Sequence, residues 1–125
     1  MKFEDTGLDG MIIPFPVLEA MTKRLGLIRG GHWDWERVTY DFKFENTKTG
    51  HIHYLRVPGI AVEGEIEKSD AKVKLLTPYL GRHYYPHGVE YKDEEFPERI
   101  INICKERLSK LKEALEELKE NTPID

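Results

Sequence analysis

Residues Glu36-Arg-Val-Thr-Tyr-Asp-Phe-Lys-Phe44 decide the fold. Val38, Tyr40, Phe42 and Phe44 alternate with Arg37, Thr39, Asp41 and Lys43. A period of two sends successive side chains to opposite faces, so this is a strand with one face buried and the other wet. Asn46-Thr-Lys-Thr-Gly50 has turn composition, and a second strand is expected from His51. The expected register sets Phe44 across from Ile52 and Phe42 across from Tyr54 on the core face, leaving His51 and His53 outward.

Downstream, Pro58-Gly59 reads as an interruption. Ile60, Val62, Gly64 and Ile66 then alternate with Ala61, Glu63, Glu65 and Glu67, and Ala71, Val73 and Leu75 with Lys72 and Lys74. The expected hairpin turns at Lys68-Ser69. It pairs Ile66 with Ala71, Gly64 with Val73 and Val62 with Leu75 inside, and Glu65 with Lys72 and Glu63 with Lys74 outside. Such exposed ion pairs contribute about 0.2–1 kcal/mol each, so they select register more than they stabilise.

Upstream, the apolar run from Met11 to Phe15 is a candidate first strand, with Pro14 confining it to an edge or marking its end. Pro16 suits a first helical position, Val17, Leu18, Met21 and Leu25 follow at helical spacing, and Gly26 is a natural stop. The spacing predicts a helix over 16–25. Pro97 opens the final helix behind Asp93, Glu94 and Glu95, which suit the positive end of its dipole. Ile100, Ile101, Cys104, Leu108, Leu111, Leu115 and Leu118 form its apolar stripe, which predicts a helix over 97–120. Residues 1–10 read as a loose lead-in, and Val89-Glu-Tyr91 is a candidate last strand. The expectation is a single α+β domain over 1–125, a curved antiparallel sheet with both helices on one face in β-α-β(4)-α order. That is the layout of TBP-like and helix-grip folds.

Composition narrows the function classes. The 125 residues carry 19 Lys and Arg against 23 Asp and Glu, a net charge of −4. Nucleic-acid affinity rests on Lys and Arg neutralising phosphates, so no nucleic-acid partner is expected. An anionic membrane surface is disfavoured for the same reason, and no apolar run approaches the length of a membrane span. The opening MKFEDTGLDG is acidic and lacks the apolar core of a signal peptide. The one cysteine, Cys104, cannot form an internal disulfide, which points to a reducing cytoplasm.

Unusual residues concentrate in two segments. The first is Gly30-Gly-His-Trp-Asp-Trp-Glu-Arg37. Trp33 and Trp35 either wall a binding site, with Asp34, Glu36 and Arg37 as polar anchors and His32 among the candidate contacts, or plug the end of the core. Packing is the commoner use of aromatics. The second is Thr77-Pro-Tyr-Leu-Gly-Arg-His-Tyr-Tyr-Pro-His-Gly-Val-Glu-Tyr91. Its Tyr79, Arg82, His83, Tyr84, Tyr85 and His87 suit a recognition loop and a loop core equally.

Chemistry beyond binding finds little support. Pro86 stands between His83 and His87, so they do not form a helical ligand pair. No HExxH and no cysteine pair accompanies them, and no metal or cofactor is expected. Nucleophile, phosphate-loop and dinucleotide signatures are absent. Cys104 falls on the apolar stripe of the long helix as a small core residue. No catalytic residue is assigned.

Several blocks together resemble the YugN-like family: MKFEDTGLDGM, GGHWDWERVTYDFKFE, YLRVPGIAVEGEIE, VKLLTPYLGRHYYPHGVEY and EEFP. The resemblance spans about residues 1–110, and the last helix shares only its pattern. It implies a TBP-like α+β domain and implies no activity, cofactor or catalytic residue. The leading expectation is a cytoplasmic, non-enzymatic binding domain. It recognises a protein or small ligand through segments 31–37 and 77–91. The alternative is a helix-grip carrier or enzyme with a cavity between sheet and long helix. A homodimer through Leu108, Leu111, Leu115 and Leu118 is a third expectation.

Overall fold

The long alternating strand is present in a computed structural model that describes residues 1–46, 48–84, 88–90 and 96–121. This strand, β3 (Arg37–Glu45), pairs along its whole length with β4 (Ile52–Glu63). On its other edge β4 pairs with β5 (Lys72–Leu75) near its C-terminal end and with β6 (Tyr79–Tyr84) near its N-terminal end. β1 (Ile12–Pro14) extends the sheet from β5, β2 (Ile28–Arg29) from β3, and β7 (Gly88–Glu90) from β6. Every pairing is antiparallel, giving seven strands with α1 (Phe15–Arg24) and α2 (Glu98–Asn121).

The register corrects the sequence reading by one residue. Phe44 faces His53, Phe42 faces Leu55, Tyr40 faces Val57 and Val38 faces Gly59. The core face of β4 is therefore His53, Leu55, Val57, Gly59 and Ala61, while Ile52, Tyr54 and Ile60 turn outward. The expected strands on either side of Pro58-Gly59 are one strand. Pro58 is tolerated in its middle for a local reason. In an antiparallel ladder a residue's N–H and C=O point to the same neighbour. The Pro58 carbonyl accepts from the Leu76 N–H at 2.9 Å, in the link 76–78 where β5 has ended and β6 has not begun. No ladder bond is asked of the nitrogen there.

The expected hairpin at Lys68-Ser69 is also displaced. Gly59 pairs with Leu75, Ala61 with Val73 and Glu63 with Lys72, with a bulge between Ala61 and Glu63. The outer ion pair is Glu63 with Lys72 at 3.2 Å, not Glu65 with Lys72. Residues 64–71 then loop over the sheet end and bury Ile66 outside any strand. The aromatic stretch 77–91 supplies β6 and β7, so the element order has more strands than β-α-β(4)-α.

Helix boundaries follow the local signals. Pro14 and Pro16 open α1, and Gly26 at φ +78° closes it. The Leu27 N–H returns to the Thr22 carbonyl at 2.8 Å. α2 covers 24 residues, roughly 36 Å, with Cys104, Leu108, Leu111 and Leu115 buried. Of the four leucines expected at a dimer face, Leu108, Leu111 and Leu115 pack into the chain's own core, and the Leu118 side chain lies outside the described residues. Arg107 ties the layers together. Its guanidinium lies 4.0 Å from the Phe42 ring centroid and donates to the Leu25 carbonyl at the end of α1.

The lead-in is not loose. The Met1 amine donates to the Leu80 carbonyl at 2.9 Å, the Leu80 N–H to the Met1 carbonyl at 2.7 Å, and the Phe3 N–H to the Pro78 carbonyl at 2.9 Å. Phe3 and Leu8 are buried in the same core as Leu18, Tyr40, Leu55, Val73 and Leu108. Burying two large apolar side chains contributes about 3–6 kcal/mol, which together with these backbone hydrogen bonds opposes the entropy of ordering the segment.

Candidate functional site

Residues 34–37 form a turn closed by its own polar groups. The Asp34 carboxylate accepts the Glu36 and Arg37 N–H groups, each at 2.8 Å, and the Arg37 carbonyl accepts from the Asp34 N–H at 3.0 Å. The loop 64–71 and the end of β4 each bond the same segment. The Trp35 carbonyl accepts from the Ile66 N–H at 3.0 Å, and the Glu36 carbonyl from the Ala61 N–H at 2.8 Å.

On this frame the rings and cations form a ladder. The Arg29 guanidinium sits 5.8 Å from the Phe15 centroid and 5.0 Å from that of Trp33. Trp33 meets Trp35 edge to face, 5.6 Å apart at 86°. The Lys68 ammonium lies 5.9 Å over the Trp35 ring. Trp33 is half-buried against the core, whereas Trp35 remains 51% exposed. Trp33 therefore packs against the core, and Trp35 is presented to solvent.

Carboxylates fix the inner end. Arg29 pairs with Glu19 of α1 at 3.3 Å and with Glu67. Glu67 has φ +83°, a left-handed conformation that costs a non-glycine residue about 1–2 kcal/mol, and the ion pair holds it there. Burial raises the Glu19 carboxyl above its ordinary value, ahead of the opposing pull of Arg29. The Tyr40 hydroxyl, fully buried, faces Glu19 too loosely for a full hydrogen bond. Burial and that carboxylate push its pKa up. Beside the exposed ring lies a cleft of about 520 Å³ lined by Trp35, Glu36, Arg37, Ile60, Ala61, Gly64 and Glu65. Val62, on the adjoining bulge, is also exposed.

The second aromatic segment is elsewhere. Tyr79 lies opposite Arg56 on the outer sheet face, and Arg82 opposite His53 on the inner one. His83 is outward, its ring 6.2 Å from Tyr54. Tyr84 ends β6, with its side chain outside the described residues, as are Tyr85 and His87. Along β4, Arg37 sits opposite Ile60 and Arg82 opposite His53. Seven residues at about 3.3 Å each put those positions roughly 23 Å apart. His32, exposed beside the tryptophans, and His83 do not converge. The structure thus brings together Trp33, Trp35 and Arg37, and it separates them from Tyr79, Arg82 and His83.

Two further clefts border α2. One, of about 630 Å³, lies between the β3–β4 hairpin and the start of the helix, with Phe44, His53, Ile100 and Ile103 beneath Lys48, His51 and Arg99. His53 is 6% exposed and stacks edge-on against Phe96 at 5.6 Å. The other, of about 690 Å³, separates residues 1–6 from Lys105, Ser109, Lys112, Glu113 and Glu116. The Cys104 thiol is buried, and burial pushes its pKa up to about 12 despite Arg107 nearby. Among the described residues no three His, Cys, Asp or Glu side chains are grouped as metal ligands, and no helix is long and apolar enough to cross a membrane.

Comparison with known proteins fixes the lineage. The model of the YugN-like family matches residues 5–111. The chain belongs to the YugN-like family. The uncharacterised protein YlbA of Bacillus subtilis strain 168 is 45% identical over 106 residues, covering 84% of this chain and 87% of YlbA. The uncharacterised protein YugN of the same strain is 28% identical over 85 residues, covering 68% and 62%. The crystal structure of an uncharacterised conserved YugN protein from Geobacillus kaustophilus HTA426 superposes with a TM-score of 0.83. It shares 43% identity and covers 96% of this chain and 98% of that one.

For this YugN-like chain, sequence reasoning found the tryptophans and Arg37 but missed Arg29, Glu19, Glu67 and Lys68. Arg29 and Glu67 are 38 residues apart in sequence, and no local pattern marks a contact of that separation. The one available hint was Arg29 standing just before Gly30-Gly31 and the aromatic segment.

Proposed function

We propose that this YugN-like domain is a non-enzymatic binding module whose recognition surface is the Trp35 end of the sheet. One observation carries the reading: a large aromatic ring, half exposed, stands on backbone tied by hydrogen bonds to the neighbouring strand and loop, with its edge contact to Trp33 on one side and solvent on the other. Rigid, accessible aromatics are the side chains that dominate interfaces, because they contribute area at small ordering cost. Trp35 and Val62 are two of the large exposed apolar side chains of the described chain; Trp35 lines the 520 Å³ cleft, and Val62 sits on the bulge between the cleft residue Ala61 and Glu63.

The test is site-specific photo-crosslinking. The benzophenone amino acid p-benzoylphenylalanine replaces Trp35, or as a control Lys110 on the exposed face of α2. Each variant is expressed in Bacillus subtilis lacking its YlbA relative. A discrete adduct from position 35 and none from 110 is expected. No adduct from position 35, or the same set from both, contradicts the reading.

A second reading has its own observation. The 630 Å³ cleft between hairpin and α2 has an apolar floor and a polar rim, the lining a small-molecule carrier of helix-grip type requires. Native mass spectrometry decides it. A ligand-sized mass increment that survives Trp35→Ala and is lost in Ile103→Arg supports the carrier, and a bare mass throughout removes it.

A further inference from the structure

We infer that Trp35 is a seat for a cation, and that its partner is an arginine- or lysine-bearing segment of another protein. This rests on the binding reading above and adds the chemistry of the partner. The free protein already fills the seat from within: the Lys68 ammonium lies 5.9 Å over the ring. The inner rings do the same with Arg29, which lies over both Phe15 and Trp33. The ladder thus runs from ring to cation to the edge-to-face tryptophan pair, and ends in a second cation at the solvent. The face of an indole carries negative potential and prefers a cation to an anion.

The surroundings have the matching sign. Asp34, Glu36, Glu65 and Asp70 are exposed around the platform, and none meets a Lys or Arg within 4.0 Å among the described residues. Against these four carboxylates stand Arg37 in the cleft, Lys68 above the ring and exposed Lys74 on the strand opposite Ile60. Lys68 sits on an exposed loop, and swinging its flexible side chain aside opens the ring face without moving the backbone. A partner guanidinium or ammonium then takes the same position, with Glu36 and Glu65 in the cleft beside it as counter-charges. Lys68 is an internal competitor for the seat.

Titration calorimetry with short blocked Arg-Gly and Lys-Gly repeat peptides, and a Glu-Gly peptide as control, tests this. Intrinsic fluorescence supplies a second readout, because Trp33 and Trp35 are the chain's two tryptophans. The cationic peptides are expected to bind saturably and the Glu-Gly peptide not to bind. Trp35→Leu, checked for an unchanged circular dichroism spectrum, should weaken binding roughly two- to thirty-fold, the range of a cation–π contact. Lys68→Met should strengthen it. Equal binding of the Glu-Gly peptide, unchanged affinity in Trp35→Leu, or weaker binding in Lys68→Met overturns the inference. A position-35 crosslink alongside no cationic-peptide binding overturns it while the platform reading stands. Absence of any position-35 adduct overturns both.

Discussion

Gly59 offers a test of the register that positions the site. It lies mid-strand on the core face of β4, opposite Val38 and Leu75. A Cβ built there would approach Val73 Cγ1 to 2.6 Å, the Lys74 carbonyl to 3.4 Å and Leu75 Cδ2 to 3.6 Å. Ordinary carbon contacts begin near 3.5 Å, so Val73 must retreat by about 1 Å. Val73 has no room, being fully buried with Ile13 and Ala61 as its strand partners on either side. Overpacking of this kind costs about 1–3 kcal/mol. Gly59 does not adopt a left-handed φ, so alanine is compatible with its backbone and recovers about 0.4–1 kcal/mol by restricting the unfolded chain. Gly59→Ala should therefore destabilise by about 1–2 kcal/mol, lowering Tm by roughly 3–8 °C. Val73→Ala alone should cost about 1–3 kcal/mol. The double variant should be no less stable than Val73→Ala, a coupling of about 1–2 kcal/mol. Equilibrium urea unfolding of the four proteins measures the cycle. A stabilising Gly59→Ala, or simple additivity, refutes the packing of β4 against β5 described above.

Other consequences follow from the ladder and the core. Trp33→Ala should cost about 2 kcal/mol and Trp35→Ala no more than about 0.5–1 kcal/mol in the same assay. Equal losses would make Trp35 a structural plug. Burial holds the Glu19 carboxyl above its ordinary 4.5. A raised folded-state pKa stabilises fully below the unfolded value, and that stabilisation fades as pH rises through the folded one. Glu19→Gln should then cost more relative to wild type at pH 4 than at pH 7. The reverse order in urea unfolding would show that the Arg29 ion pair, not burial, governs this group. The buried Cys104 thiol, with its pKa pushed up to about 12, should resist Ellman's reagent until the protein unfolds. Rapid labelling of the native state would contradict its burial.

What was legible in the sequence, and what was not, divides along physical lines. β3 was legible because Val38 and Tyr40 alternate with polar residues over a half-wet strand. Both helices announced themselves through Pro16, Gly26, Pro97 and an unbroken apolar stripe. β4 was misread because its apolar pattern is regular only in the middle, at Leu55 and Val57, and inverted toward both ends. Its buried face carries His53, Gly59 and Ala61, and its outer face carries Ile52, Tyr54 and Ile60. Pro58 looked like a break because the gap between β5 and β6 that accommodates it is a tertiary fact. The candidate site was legible as composition, in two tryptophans flanked by charge. Its division into a packed Trp33 and a presented Trp35 depends on Arg29, Glu67 and Lys68, which tertiary folding alone brings near.

Oxidative footprinting of Trp35 in intact cells tests the platform most directly. Hydroxyl radicals modify exposed indoles fastest, and peptide mass spectrometry separates Trp35 from the half-buried Trp33 beside it. In purified protein Trp35 should oxidise well ahead of Trp33. In cells producing the protein at native levels its oxidation should fall to the level of Trp33 as a partner covers the ring. Trp35 oxidising as readily in cells as in isolation would show a surface that meets nothing.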